Sequence, residues 1–197
     1  MRNKTMNERF TIWNFKDIDN AYVPYNLTDA AGESFDGLEV FTADDAPGDL
    51  QFTADPDYPN DFLMLDSFGN TECVIPISPK LKTFLEDKQI PNLLFIPVKM
   101  LDHKNRTLEE YYLLHSTEVI DAIDKTLTQL RVDRLNEDMF NRVKNLTLLD
   151  ANIPADIQIF RVKGLYDVTC VSKALAKEID DNGFTGIEWE ETSEYSY

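Results

Sequence analysis

The 197-residue chain holds little of what most catalytic sites are built from: two histidines, two cysteines and seven glycines. No stretch approaches the roughly 20 apolar residues that span a bilayer. The opening Met1-Arg2-Asn3-Lys4-Thr5 is not followed by an apolar signal core, so the chain is expected to stay in the cytoplasm where it is made. Cys73 and Cys170 each sit in an apolar run without a second thiol or a histidine at metal-ligand spacing. Two buried free thiols in a reducing compartment are expected, and no metal. With so few glycines there is no Gly-x-Gly-x-x-Gly, no phosphate-cradling loop with Lys and Ser, and no Gly-x-Ser-x-Gly elbow. A general base would have to be His103, in a polar loop, or His115, at a strand end beside a helix cap, and both positions have mundane uses. Pairs of carboxylates are inevitable among 36 acidic residues and carry no message. Neither catalysis nor a cofactor is expected.

Positive charge is scarce as well. Nineteen basic residues against 36 acidic ones leave a net charge of −17. From Asp17 to Pro79 there are 14 carboxylates and no Lys or Arg. Such a segment repels nucleic acid and anionic membranes, and its field steers a basic protein toward it. Two turn sequences concentrate the effect, Asp44-Asp45-Ala46-Pro47-Gly48-Asp49 and Asp55-Pro56-Asp57-Tyr58-Pro59-Asn60-Asp61. Their Asp44, Asp45, Asp49, Asp55, Asp57, Tyr58 and Asp61 are the candidate partner-binding residues. The spacing lacks the Asp-x-Asp-x-Asp-Gly order of a calcium loop. The blander reading of the run is a solvated face that keeps the protein soluble. Charge alone gives mainly association rate, so aromatic anchors are expected among Tyr22, Tyr25, Phe35, Phe41, Phe52 and Tyr58.

Hydrophobic periodicity predicts short strands at residues 10–15, 38–41 and 62–65 between turn-rich stretches. Beyond them, Val74 to Ile77, a helix capped by Ser78-Pro79 with Leu81, Phe84 and Leu85 on one face, and Leu94 to Val98 make strand, helix, strand. The order recurs at Val168 to Val171, a helix capped by Ser172 with Leu175 and Ile179, an Asn182-Gly183 stop, and Gly186 to Trp189. Leu94 to Met100 and Tyr111 to His115 read as a hairpin, and Ile120, Ile123, Leu127 and Leu130 at spacings of three and four predict a further helix. The stretch 135–149 suits either a helix or a strand. The expectation is an α+β fold: a mixed, largely antiparallel sheet with helices at 78–88, 117–130 and 172–181 on one face, and a possible duplicated strand-helix-strand unit. An acidic lobe, 1–72, is expected beside a lobe at 73–197.

The second lobe resembles a family of bacterial immunity proteins, once a domain of unknown function, encoded beside polymorphic and type VI secretion toxins. The resemblance rests on Ile77-Ser78-Pro79-Lys80-Leu81 with Phe84-Leu85, Leu94 to Val98, Tyr111-Tyr112-Leu113-Leu114 and Val119 to Asp124. Further along it takes in Ile159 to Gly164, Val171-Ser172 and Gly183 to Trp189, so it spans about residues 73–190. It implies a non-catalytic protein that binds a cognate toxin and protects the cell; no family motif marks the contact surface. The −17 charge points to a basic toxin, such as one acting on DNA or RNA. The alternative is an acidic nucleic-acid mimic that blocks a DNA-binding protein. Arg161 and Lys163 fall on one strand face, where pairing with Asp121 or Asp124 is expected.

Overall fold

The computed structural model describes residues 9–38 and 41–197, so Glu39 and Val40 of the strand expected at 38–41 lie outside the described residues. In chain order the strands are β1 (Phe10–Phe15), β2 (Pro24–Thr28), β3 (Leu50–Ala54) and β4 (Ile75–Ile77), followed by helix α1 (Pro79–Asp87). Then come β5 (Leu93–Leu101), β6 (Thr107–Ser116), β7 (Val119–Ile120), β8 (Gln129–Val132), β9 (Phe140–Lys144), β10 (Ile159–Val162) and β11 (Leu165–Ser172). Helix α2 (Lys173–Asp181) and β12 (Ile187–Glu190) complete the order. The chain forms two compact units. An inserted unit comprises residues 14–117 and 183–188; a terminal unit comprises 1–13, 118–182 and 189–197.

The inserted unit is built on a sheet ordered β2-β3-β5-β6-β4, parallel between β3 and β5 and antiparallel elsewhere. Alternation in β3 and β5 sends Leu50, Phe52, Ile96, Val98 and Met100 into one core with Tyr22, Leu27, Phe68, Tyr111 and Leu113. Helix α1 begins where expected, because the Ser78 hydroxyl accepts from the Leu81 amide and Pro79 presets the first turn. Gly186, at φ +81°, returns the chain to this unit: a Cβ there would lie 2.0 Å from the Ser67 carbonyl oxygen, so only glycine fits. Beside it, the Thr185 amide and hydroxyl both donate to the Asp66 carboxylate.

The terminal unit carries a sheet ordered β12-β1-β11-β10-β7 and a separate β8-β9 ribbon. Its core gathers Phe10, Ile12, Ile123, Val143, Leu146, Phe160, Val162 and Cys170. Ser172 caps α2 by accepting from the Leu175 amide. Each helix thus joins two strands that flank a third, β4 and β5 about β6, β11 and β12 about β1. The two helices contact different sheets, α1 against β6 and α2 against β11.

The helix expected at 117–130 does not form. Val119–Ile120 is strand β7, and β8 begins at Gln129. Between them the Asp124 carboxylate accepts from the Thr126 and Leu127 amides and the Thr126 hydroxyl, closing a turn in place of a helical ladder. Leu127, counted toward a buried stripe, is exposed. The open stretch at 135–149 is resolved as a hairpin arm, β9, followed by an isolated bridge between Leu148 and Ile123. Arg161 is buried and donates from Nε and Nη2 to the Tyr166 carbonyl, while Lys163 is exposed, so the two do not share an environment.

Candidate protein-binding surface

The two acidic turns flank β3, one leading into Leu50 and the other leaving Ala54. Four residue steps of extended chain separate them, about 13 Å at roughly 3.3 Å per step. Asp44, Asp45 and Asp49 therefore gather at one end of the sheet, and Asp55, Asp57, Tyr58 and Asp61 at the other.

Each turn is held by its own carboxylates. Asp45 accepts from the hydroxyl and amide of Thr42, and these bonds hold its pKa below the ordinary carboxyl range. Asp55 accepts from the Asp57 amide at 2.9 Å, and its own amide donates to the Val23 carbonyl at 3.1 Å. The Tyr58 and Asp61 amides donate to the Asp55 and Tyr58 carbonyls. The side chains of Asp57 and Tyr58 are left exposed, and Asp55 and Asp61 half-buried.

Strand directions decide what else meets the second turn. Because β3 and β5 run parallel and β2 and β6 antiparallel to them, β3 and β5 finish where β2 and β6 begin. Loops 16–23, 55–63 and 102–106 share that end of the sheet. Buried tyrosines tie it to the core: the Tyr22 hydroxyl donates to the Leu101 carbonyl at 2.9 Å, and the Tyr111 hydroxyl to the Leu65 carbonyl at 2.6 Å. Burial pushes both phenols well above their usual pKa. In loop 102–106, the Arg106 amide and then its guanidinium hold the buried Asp102 carboxyl down to about 2. A cleft of about 480 Å³ opens beside these loops, with Tyr22, Leu65 and Phe68 in its wall and Asp17, Asp19, Tyr58 and Asp61 among its lining.

Of the six aromatics expected as anchors, Tyr22, Phe41 and Phe52 are buried and Phe35 is half-buried. Tyr25 and Tyr58 are exposed. Sequence reasoning missed Phe62 and Leu63, which it placed inside a strand at 62–65; the segment makes a single bridge, Ala21 to Leu63, and both side chains face solvent. A continuous run of four apolar residues has no period-two alternation to say which of its side chains face solvent.

His103 and His115 stand at opposite ends of β6. His103 meets the Phe62 ring edge-on at 5.6 Å, and His115 stacks on Phe41 at 3.8 Å. Cys170 is buried, but Cys73 is exposed, contrary to expectation: it lies in a bend at φ +56° ahead of β4 and not in the apolar strand itself. Among the described residues no three of His, Cys, Asp and Glu are placed to hold a metal ion. Nor is any helix among them long and apolar enough to cross a membrane.

Charged turns and exposed aromatics thus share a sheet end that buried tyrosines tie to the core. The model of the immunity protein family Imm11 matches residues 5–194, and the chain belongs to that family. The match extends beyond the 73–190 span of the resemblance and takes in the acidic stretch. No curated protein matches the chain.

Proposed function

We propose that the chain confers immunity by binding and occluding a cognate toxin with a basic face, without catalysis and in the cytoplasm. A nuclease effector of a polymorphic or type VI system suits this reading, because an enzyme that acts on a polyanion presents cations to it. The observation that carries the proposal is the one-signed stretch of 14 carboxylates, which falls within the inserted unit of an immunity-family member. The residues proposed to serve partner binding are Asp44, Asp45, Asp49, Asp55, Asp57, Tyr58 and Asp61. Nucleic acid and membrane are not partners on this reading, since the same field repels them.

Co-expression tests it. Cells carrying the toxin gene adjacent to this one should survive when the chain is made, and toxin and chain should co-purify as a complex. Rescue should persist in His103→Ala, His115→Gln and Cys170→Ala variants that remain folded. Rescue lost in a variant that still folds and binds would instead indicate enzymatic detoxification.

A further inference from the structure

Among the described residues, the large apolar side chains that the inserted unit leaves in water are Tyr25 at 48%, Tyr58 at 50%, Phe62 at 43%, Leu63 at 49% and Leu108 at 39% exposure. These five come from three separate stretches of sequence. Tyr25 follows the first residue of β2, Tyr58, Phe62 and Leu63 lie in the loop after β3, and Leu108 follows the first residue of β6. The strand directions bring all three stretches to the end of the sheet where β3 and β5 finish. The opposite end, with Asp44, Asp45 and Asp49, presents no large exposed apolar side chain among the described residues.

Single exposed apolar residues are ordinary; a set gathered from two strand starts and a loop and confined to one end of a sheet is not. The loops beneath are fixed by the Tyr22 and Tyr111 hydroxyls, so little side-chain or loop ordering remains to oppose binding. Asp17, Asp19, Asp55, Asp57 and Asp61 stand around the set, outnumbering the neighbouring cations Lys16, Lys104 and Arg106, of which Arg106 already pairs with Asp102. Apolar anchors inside an acidic rim match a partner whose own contact has apolar side chains ringed by Lys and Arg.

We infer that this sheet end is the docking surface for the basic toxin, with Tyr58 and Phe62 as its anchors, and that the Asp44–Asp49 turn acts only by steering. The inference rests on the proposed neutralisation by binding and divides the labour within it. Tyr58 and Phe62 set how long the complex lasts; the carboxylates at the far end set how fast it forms. The cleft beside Tyr58 has Tyr22, Leu65 and Phe68 for the stem of a partner's long side chain and Asp17, Asp19 and Asp61 in its lining for a cationic head.

The test uses the full chain and a catalytically inactivated form of the adjacent toxin, with both rate constants measured. Tyr58→Ala with Phe62→Ala should accelerate dissociation by at least about 30-fold, the mark of lost hot-spot contacts. Thermal unfolding should barely move, because both side chains are half in water. The triple variant Asp44→Asn, Asp45→Asn, Asp49→Asn should slow association and leave dissociation within about twofold of wild type. A wild-type chain that binds the toxin, with dissociation unchanged in the double variant, overturns the docking surface alone. Should the double variant unfold, Leu63→Asp and Leu108→Asp, tested singly, must each accelerate dissociation or the surface is wrong. A wild-type chain that does not bind overturns the neutralisation reading and the docking surface together.

Discussion

The acidic sheet end of the inserted unit and the β8-β9 ribbon of the terminal unit use one device to opposite electrostatic effect. In both, aspartates build the turns: Asp55 accepts from the Asp57 amide, and Asp133 from the Leu135 and Asn136 amides. Both leave apolar side chains in water, and Leu135 at the ribbon is 98% exposed. Their counterions differ. From Lys125 to Lys144 five basic residues accompany three acidic ones, whereas from Asp17 to Pro79 no basic residue accompanies 14 acidic ones. The ribbon buries Val143 and packs Leu130 and Phe140 against its core; registered across its outer face are Arg131 opposite Arg142 and Gln129 opposite Lys144. Three of the ribbon's five cations are offset by acids, so the small remaining charge fades within a Debye length of about 8 Å, while the one-signed acidic stretch projects a larger field toward an approaching protein. Long reach therefore follows from the missing lysines and arginines more than from the aspartates themselves.

The contrast breaks most visibly through the core. Phe52, buried between the two acidic turns, should cost about 3–5 kcal/mol as Phe52→Ala, whereas Leu135→Ala at the ribbon should stay within about 0.5 kcal/mol, both read by urea unfolding. Charge comes next. Changing Asp44, Asp45, Asp49, Asp55, Asp57 and Asp61 to Asn should slow toxin association about 10-fold at low salt and flatten its salt dependence. Changing Arg131, Arg142 and Lys144 to Gln should alter it less than about twofold. An association rate indifferent to salt and to all six Asp substitutions would end the steering idea.

The smallest effect is a matter of pH. Asp102 falls from its ordinary 3.8 to about 2 in the folded chain, so its stabilisation is present above the ordinary value and disappears as pH drops from there through the folded one. Between pH 4 and 2 the wild type should lose stability more steeply than Asp102→Asn, measured as the urea midpoint across that window.

Local chemistry was legible in the sequence where it acts locally. Ser78-Pro79 and Ser172 start their helices because a hydroxyl needs only the amide three residues on, and the β5-β6 hairpin follows from two apolar runs around a polar loop. The exposure of both acidic turns was legible for the same reason. What failed depended on distant partners. Ile120, Ile123, Leu127 and Leu130 keep helical spacing, yet Val119 and Ile120 pair with Arg161 and Val162 some forty residues on, and Asp124 turns the chain before a helix can start. Strand β2 was hidden by its bulge at Asn26, with φ +54°, between Tyr25 and Leu27, whereas β3 keeps the alternation of a strand in Leu50, Phe52 and Ala54 and was legible but passed over between its two turns. Which aromatics face water was invisible for a related reason, since Tyr22 is buried by its bond to Leu101 and Tyr25, three residues later, is not.

The division of the chain also has a consequence in time. Phe10 pairs with Ser172, so β1 leaves the ribosome long before its neighbour β11 exists. At roughly 5–20 residues per second the apolar run Phe10-Thr11-Ile12-Trp13 waits on the order of 10–30 s. Residues 14–117, with every strand of the acidic sheet, are made within that interval. A newborn molecule therefore has every strand of its acidic sheet in hand while β1 still lacks the neighbour it pairs with.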